Sequence, residues 1–292
     1  MLKGIYTPLT TPFVRDVVAY NKLTENLQKY NQKDLAGYVV LGSNGESVFL
    51  TKEEKLKLVS TVREHSPNKV LIAGTGLESI KETIDLTKEA AKNGADYALV
   101  ITPSFYKAGM NHKAFLNYYT AVADSISIPL IIYNVTKFTN VNIDIESLAK
   151  LAEHPNIVGI KNSTENIAEI NATIYNTPND FSVLVGTGSV LLYGLISGAV
   201  GGILALANIA PAECIKIFNL FNEGKLIEAE KIQSRMHAVN KAITATFGIA
   251  GLKASMGLLG YFGGQPRKPL QPLTSSKMKK LKPILLKAKL LK

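Results

Sequence analysis

Apolar, β-branched segments recur along the chain at intervals of 20 to 33 residues. They lie at residues 4–9, 37–42, 69–74, 97–102, 129–134, 156–161, 181–186 and 201–206. The segments between them have helical periodicity, as at Leu56, Val59 and Val62, with charged residues at the intervening positions. Thr51 and Ser79 each precede a glutamate by three residues, which is a signal for a helix N-terminus. The pattern therefore predicts eight strands that alternate with helices.

Strands that are apolar throughout, and that alternate with helices, are typical of a parallel sheet covered on both faces. Eight such units in about 220 residues match a closed (β/α)₈ barrel in number and length. The alternative is an open doubly wound sheet, but GTGLES and GTGSVL each lack the third glycine of its phosphate-binding motif GxGxxG. We predict an α/β fold with a (β/α)₈ barrel over residues 1–223. A helical extension over residues 224–292 is expected to pack on the barrel.

One segment, from Phe181 to Ala212, contains no charged residue and could be mistaken for a membrane span. Its glycines interrupt it every few residues, which favours a buried strand, helix and strand over a transmembrane helix. The N-terminal sequence MLKGIYTPLTTPF has no apolar core of the length found in secretory signals. We therefore expect a cytoplasmic protein with no membrane partner.

The formal net charge of +10 is concentrated at the C-terminus. The last sixteen residues, KMKKLKPILLKAKLLK, contain seven lysines and no acidic residue, so the rest of the chain is only at +10 − 7 = +3. Lysines interleaved with leucines predict a solvated amphipathic helix whose lysine stems lie over apolar surface. The chain has no tryptophan and no alternation of aromatic and basic residues, so no nucleic-acid partner is expected.

The single cysteine, Cys214, excludes an intrachain disulfide and a cysteine-based zinc site. We expect it to be a small buried hydrophobic residue. The histidines, His65, His112, His154 and His237, are scattered, and no HExxH motif occurs. Each is expected to lie at the surface or to be hydrogen-bonded in the core, and no metal site is predicted.

In a (β/α)₈ barrel the reactive groups lie at the C-terminal ends of the strands. Strand six ends in IVGIK, where alternation puts Ile157, Gly159 and Lys161 on one face. Val158 and Ile160 then lie on the other face, and if they pack against the helices, Lys161 points into the barrel. An amine held among apolar side chains loses proton affinity and can become a Schiff-base nucleophile. The alternative is a lysine whose amine reaches solvent at the strand end.

Strand five ends in LIIYN, with Tyr133 standing 28 residues before Lys161. The two residues are expected at the same height on neighbouring strands. A phenol beside an amine can relay the protons that carbinolamine formation and carbon–carbon cleavage require. The alternative is a core tyrosine with a hydrogen-bonded hydroxyl.

Strand two ends in the segment GSNGES, residues 42–47. Its glycines allow backbone N–H groups to approach a ligand, while Ser43 and Asn44 offer neutral donors. Donors that converge without a lysine or arginine suit one small carboxylate better than a pyrophosphate. Glu46 would repel such an anion, so we expect it to turn away and tie the loop down.

These motifs occur in one order along the chain. GSNGE after strand two, TP after strand four, YN at strand five, HPNIVGIK on strand six and FGIAGLKASMGLLGYFGGQPRKPLQPL near the C-terminus resemble the dihydrodipicolinate synthase/N-acetylneuraminate lyase superfamily. The resemblance implies a pyruvate-dependent class I aldolase on a (β/α)₈ barrel with additional C-terminal helices. It also implies a homotetramer or homodimer, small-molecule substrates, and no metal or organic cofactor.

By this resemblance Lys161 forms the Schiff base with the keto carbon of pyruvate, and Tyr133 is the proton shuttle. Ser43 and Asn44 hold the pyruvoyl carboxylate, and Gly186 lies where the family brings its backbone close to the bound adduct.

Two positions depart from the family pattern. The family often supplies a tyrosine across the subunit interface just after the TP of strand four, where TPSFYKAG has Phe105. Either the next residue, Tyr106, has taken over this role by a shift of one position, or the relay is incomplete. YNVTKFTN has Phe138 where dipicolinate synthases usually have an arginine for the aldehyde's carboxylate. A buried phenyl there cannot pair a carboxylate, although Lys137 beside it offers a substitute cation.

Within the superfamily, GSNGE, HPNIVGIK and the C-terminal motif look most like 4-hydroxy-2-oxoglutarate aldolases, which release pyruvate and glyoxylate. Dipicolinate synthases and aldolases of 2-keto-3-deoxy sugar acids stay open as alternatives. A neuraminate lyase is disfavoured because its usual GSTGE appears here as GSNGE. The alternative without catalysis is a keto-acid-binding relative.

Overall fold

Eight parallel strands close into a barrel in the computed structural model, which describes residues 2–291. Numbered β1 to β8 in chain order, they are Gly4–Pro8, Gly37–Val40, Val70–Gly74, Tyr97–Ile101, Leu130–Asn134, Ile157–Asn162, Ser182–Val185 and Gly201–Ile203. Each strand pairs with its neighbours in the sequence, and β1 pairs with β8, Gly4 against Gly201, to close the barrel. The predicted (β/α)₈ barrel and its eight strands are confirmed.

Helices cover the outside of this barrel. Numbered α1 to α12 over the described residues, they are Tyr20–Asn31, Lys52–His65, Ile80–Lys92, His112–Ser125, Thr136–Thr139, Ile145–Ala152, Ile167–Tyr175, Leu191–Ile196, Pro211–Asn222, Leu226–Lys241, Gly248–Leu258 and Ser275–Lys287. A π-helical turn, Ala242–Thr246, joins α10 to α11. Thr51 caps α2 in a full capping box with Glu54, and the Ser79 hydroxyl caps α3, as predicted.

Apolar side chains form two layers on the strands. One cluster fills the barrel interior, with contributions such as Tyr6, Val39 and Leu184. The other strand positions pack outward against helices, as Val100 and Ile132 do against α4 and α6. The alternation of side chains along a strand therefore separates the interior of the barrel from its helical coat.

The alternation predicted for β6 holds only in its C-terminal half. The register between β5 and β6 shifts, so that Ile157 and Gly159 face successive residues of β5 and Val158 is skipped. Val158 therefore packs with the barrel interior and Ile157 with the outer layer, which is the reverse of the prediction. Beyond this irregularity Ile160 lies in the outer layer and Lys161 points inward, as predicted.

The uncharged segment of residues 181–212 folds as β7, α8 and β8, all largely buried. This arrangement confirms the predicted strand, helix and strand. Within residues 2–291 no helix has both the length and the hydropathy needed to cross a bilayer. Cys214, on α9, is fully buried, and burial raises the pKa of its thiol, as expected for a packing residue.

The helices that follow residue 224 share a single apolar cluster with β1, β2 and α1, among others. In α12, Leu281 and Leu285 belong to this cluster, while the lysines of the same helix are exposed. The predicted amphipathic terminal helix is thus present, although Lys292 lies outside the described residues. Because one cluster spans both sides of residue 223, the predicted division into barrel and extension stays a prediction.

Candidate active site

Two predicted site residues face each other where β5 and β6 end. Tyr133 pairs directly with Lys161 in the register of these strands. Lys161 is only 3% exposed, and its Nζ lies 4.0 Å from the centroid of the Tyr133 ring. The amine is therefore held inside the barrel against the phenol, and the alternative of a lysine that reaches solvent does not apply.

The hydroxyl of Tyr133 is held by a third predicted residue, from the end of β2. Ser43 Oγ lies 3.2 Å from the Tyr133 hydroxyl. Burial on its own raises the pKa of Tyr133, but the charge of Lys161 and hydrogen bonds with Ser43, Lys161 and Ser163 outweigh it, so this pKa is lowered. A phenol with a lowered pKa exchanges a proton more readily near neutral pH, which suits a proton relay.

The loop after β2 presents Ser43 and Asn44 from one short 3₁₀ turn, Ser43–Gly45. Ser43 is exposed and Asn44 is half-buried. The Asn44 side chain makes no hydrogen bond within the described part of the chain, so its carboxamide is available to a ligand. These positions are compatible with a carboxylate clamp beside Lys161, and the role of Asn44 stays a prediction.

Gly186 follows β7 and lies directly against the end of β6. A Cβ on Gly186 would stand 2.1 Å from Ser163 Oγ and 2.8 Å from Ser163 Cα, so only glycine fits there. Its N–H donates to the Asn162 carbonyl at 2.7 Å. Gly186 thus allows the backbone to pack beside the strand that ends in Lys161, and its approach to a bound adduct stays a prediction.

A polar network that the sequence analysis did not single out holds the two strand ends together. Asn134 Nδ2 donates to Asn142 Oδ1 at 2.6 Å and to Asn162 Oδ1 at 3.3 Å. Asn162 Nδ2 in turn donates to Glu169 Oε1 at 2.9 Å. The available signal was an asparagine directly after each candidate catalytic residue, in YN and KN.

Glu46 turns away from the barrel mouth, as expected. Its carboxylate is buried, with Oε1 2.5 Å from Lys253 Nζ and Oε2 accepting the Arg267 N–H at 2.7 Å. Both partners lie in the C-terminal motif, but no sequence signal indicated that a lysine on α11 would be buried against this loop. That contact depends on how the extension packs on the barrel.

Tyr106 and Phe105 lie on the surface of the single chain, each 77% exposed and in edge contact with the other. Neither makes a hydrogen bond to Tyr133 among the residues described. Glu78 holds this segment, because its carboxylate accepts the N–H of Phe105 at 3.0 Å. One chain alone therefore does not bring Tyr106 to the amine, and its role stays a prediction.

Phe138 is not the buried phenyl that the sequence predicted. It lies in the one-turn helix α5 and is 61% exposed, because this helix sits on the outer surface after β5. The neighbouring Lys137 donates to the Thr244 carbonyl at 2.7 Å, so its amine already ties α5 to the π-helical turn. A phenyl ring still has no donor for a carboxylate, whatever its exposure.

One set of potential metal ligands occurs in the described chain, formed by His112, Asp144 and Glu146. Two of its members, Asp144 and His112, already have structural roles. The Asp144 side chain caps α6 by accepting the Ser147 N–H, and His112 Nδ1 lies 2.9 Å from Ser147 Oγ. The set lies at a helix N-terminus and has no contact with Lys161 or Tyr133 among the hydrogen bonds described.

The chain is similar to known proteins over nearly its whole length. A model of the dihydrodipicolinate synthetase family matches residues 1–288. The chain is 35% identical to a 4-hydroxy-tetrahydrodipicolinate synthase of Archaeoglobus fulgidus, over 98% of both chains. It is 32% identical to a probable mitochondrial 4-hydroxy-2-oxoglutarate aldolase of Emericella nidulans, over 97% of this chain and 93% of that one. It is 33% identical to an L-threo-3-deoxy-hexylosonate aldolase of Hypocrea jecorina, over 94% and 92%.

Solved structures match over the same length. A dihydrodipicolinate synthase from Thermotoga maritima superposes with a TM-score of 0.95 at 27% identity, over 100% of both chains. A monomeric dihydrodipicolinate synthase variant has a TM-score of 0.94 at 27% identity, over 99% and 98%. A family member from E. coli K12 in complex with pyruvate has a TM-score of 0.94 at 25% identity, over 99% of both chains.

Proposed function

The chain belongs to the dihydrodipicolinate synthetase family and is an enzyme of the class I pyruvate aldolase type, and we propose that it cleaves a 2-keto-4-hydroxy acid. The substrate we propose resembles 4-hydroxy-2-oxoglutarate, and the products are pyruvate and an aldehyde such as glyoxylate. The observation that supports the proposal most directly is the buried amine of Lys161, 4.0 Å from the ring of Tyr133. Pyruvate bound to a solved relative supports the same keto acid as ligand.

The reaction begins with attack of Lys161 Nζ on the keto carbon of the substrate. Loss of water from the carbinolamine leaves a protonated imine, which acts as an electron sink. Tyr133 then removes the proton from the 4-hydroxyl, the bond between C3 and C4 breaks, and its electron pair moves into the imine to form an enamine. The aldehyde leaves, C3 of the enamine takes up a proton, and hydrolysis of the imine releases pyruvate and the free amine.

Ser43 has two tasks in this proposal. Its hydroxyl is placed to bind the substrate's carboxylate next to the imine, and it also bonds the Tyr133 hydroxyl at 3.2 Å. In this proposal protons pass among the phenol, the Ser43 hydroxyl bonded to it and the amine that lies against its ring. Asn44, in the same turn, supplies backbone and side-chain donors for the second carboxylate oxygen.

A second candidate is supported by the names of the relatives. The identity to a 4-hydroxy-tetrahydrodipicolinate synthase is 35%, against 32% to a 4-hydroxy-2-oxoglutarate aldolase. A dipicolinate synthase would condense the same enamine with aspartate semialdehyde, whereas a sugar-acid aldolase would release a longer aldehyde. The presence of Phe138 in place of a cation argues against a carboxylate on the second substrate at that position.

Reductive trapping tests the imine. Borohydride added with pyruvate is expected to attach a stable three-carbon adduct to Lys161, located by peptide mass analysis. The control variant Lys161→Ala gains no adduct. A folded wild-type protein whose Lys161 stays unmodified at saturating pyruvate would refute the proposal.

A cleavage panel then identifies the substrate and the class of activity. Wild type and Lys161→Ala are compared on 4-hydroxy-2-oxoglutarate and on 2-keto-3-deoxy sugar acids, and a synthesis arm contains pyruvate with aspartate semialdehyde. The aldolase proposal expects the fastest turnover on the first substrate. A cyclic product in the synthesis arm would identify a dipicolinate synthase, and adduct formation without turnover on any arm would leave only a keto-acid-binding protein.

The proposal includes a homo-oligomer, a tetramer or dimer, in which Tyr106 reaches the site of a neighbouring subunit. It includes small-molecule substrates, with neither nucleic acid nor membrane as partner. The cytoplasmic location stays a prediction, and one relative is named as mitochondrial.

A further inference from the structure

We propose that Lys253, on α11 outside the barrel, is a positioning residue for the loop that binds the substrate's carboxylate, and that it acts through Glu46. The inference rests on the proposed function, because the loop that Lys253 would position carries Ser43 and Asn44, the proposed ligands of the carboxylate. Lys253 touches neither the amine nor the phenol in the contacts described. Lys253 therefore acts on the position of the loop and not on the reacting groups.

Glu46 occupies the pivot of this loop. It has a left-handed backbone, with φ of +56°, between the 3₁₀ turns Ser43–Gly45 and Ser47–Phe49. Such a conformation is costly for a residue with a side chain and persists where surrounding contacts hold it. Its N–H donates to the Ser43 carbonyl at 3.2 Å. A displacement of Glu46 would therefore also move Ser43.

Lys253 pairs with the pivot and donates to two backbone carbonyls. Its Nζ lies 2.5 Å from Glu46 Oε1 and donates to the carbonyls of Thr11 at 2.8 Å and Gln265 at 3.0 Å. The Thr11 hydroxyl also contacts the loop, because it donates to the Gly45 carbonyl at 2.6 Å. One amine thus joins the loop after β2 to the segment after β1 and to the C-terminal extension.

Arg267 holds the same loop at Glu46 and again at Phe49. Its N–H donates to Glu46 Oε2 at 2.7 Å, and its guanidinium donates to the Phe49 carbonyl at 2.9 Å. The guanidinium also forms a bidentate pair with Glu54, in the first turn of α2. The extension therefore holds the loop at Glu46 and at Phe49, whereas Ser43 contacts Tyr133.

Stability alone is a weak reason for such a pair. Glu46 and Lys253 are each 1% exposed, and a buried ion pair is often no more stabilising than apolar residues of the same volume. Apolar side chains would fill the space, but they would not fix the direction of a carboxylate or the φ of the residue that bears it. The charged pair therefore sets the geometry of the loop.

The test uses Glu46→Gln combined with Lys253→Met, which leaves neither charge unpaired in the core. We expect the pyruvate concentration for half-maximal borohydride trapping at Lys161 to rise about tenfold or more, since positioned hydrogen bonds to a carboxylate are lost. The limiting extent of trapping at saturating pyruvate stays at the wild-type level. A purely structural pair predicts a wild-type half-saturation in the folded double variant, and this result would overturn the inference.

Lys253→Arg provides a second variant that keeps the buried charge but places it at a different distance from Glu46. We expect this variant, too, to raise the half-saturating pyruvate concentration. If the double variant does not fold, a wild-type value in Lys253→Arg overturns the inference. Arg63→Met is the control for loss of an ion pair elsewhere, since it breaks the 2.6 Å, partly exposed pair with Asp96 away from the loop, and we expect its half-saturation to be unchanged. If wild type itself is never trapped, the proposed function fails. If wild type is trapped and the variants match it, only the positioning role fails.

Discussion

At the scale of single residues, the candidate site depends on three side chains, two of which change the acidity of the third. Lys161 places its charge over the ring of Tyr133, and Ser43 bonds the hydroxyl of that ring. Buried alone, Tyr133 would have a raised pKa, as burial gives Tyr119. The neighbours reverse the direction at Tyr133, because they favour the charged phenolate more than burial disfavours it.

Replacement of Ser43 by alanine should raise the pKa of Tyr133, because it removes one of the hydrogen bonds that lower it. In the wild type the phenolate forms below the ordinary pH for tyrosine, so in Ser43→Ala its formation should move to higher pH. The measurement is near-ultraviolet phenolate absorbance against pH, with the signal of Tyr133→Phe subtracted. Ser47→Ala, four residues along the same loop, is the control and should titrate as wild type. A shift to lower pH in Ser43→Ala would contradict the prediction.

At the scale of elements, the basic C-terminal segment acts as an amphipathic helix docked on the barrel. In α12 the lysines are exposed, while Leu281 and Leu285 are fully buried in the cluster that also contains β1 and α10. Thr274 caps its N-terminus. The positive charge is thus the solvated face of a packed helix, which agrees with the sequence pattern of lysine and leucine.

Leu285→Ala should lower the free energy of unfolding by about 2–5 kcal/mol, because it leaves a cavity in this cluster. Leu286→Ala on the same helix is the matched control, since Leu286 is 48% exposed, and its effect should stay within about 0.5 kcal/mol. Urea denaturation of the three proteins gives both values. Equal losses for the two substitutions would mean that α12 is not docked as described.

At the scale of the whole molecule, the single chain leaves aromatic side chains on its surface near the barrel mouth. Phe105 and Tyr106 are among the most exposed large side chains described, and a surface pocket beside them is lined by Met110 and Tyr118. One chain therefore brings Tyr133 and Ser43 to Lys161 and leaves Tyr106 outside the candidate site. The predicted role of Tyr106 depends on an oligomer, which the resemblance predicts, and a monomeric relative makes the oligomeric state worth measuring.

Mixed oligomers test whether Tyr106 serves a neighbouring site. Lys161→Ala and Tyr106→Phe, unfolded and refolded together in equal amounts, should recover about a quarter of the wild-type activity in a two-fold dimer, since half of the dimers then hold one complete site. Lys161→Ala mixed with Tyr133→Phe should recover nothing, because both residues belong to the same chain's site. Sedimentation as a monomer, or equal recovery in both mixtures, would rule out the shared site.

Much of the fold and part of the site followed from local pattern. Strand-length apolar runs and helical periods depend on backbone sterics and on which side chains avoid water, so they predicted the eight strands and the capped helices correctly. The same rules put Tyr133 and Lys161 at equal height, because neighbouring parallel strands in a barrel end at the same rim. Motifs in order along the chain also indicated the family that residues 1–288 match.

Contacts between segments far apart in the chain were decided by the tertiary structure. The register shift that reversed Ile157 and Val158 depends on how β6 pairs with β5, and the exposure of Phe138 depends on where α5 comes to lie. The burial of Lys253 against Glu46 depends on the packing of the extension over the barrel. The sequence by itself thus determined the barrel and the residues at its rim. Only the packed chain decided what holds that rim in place, since burial and pairing energies arise between side chains brought together from distant segments.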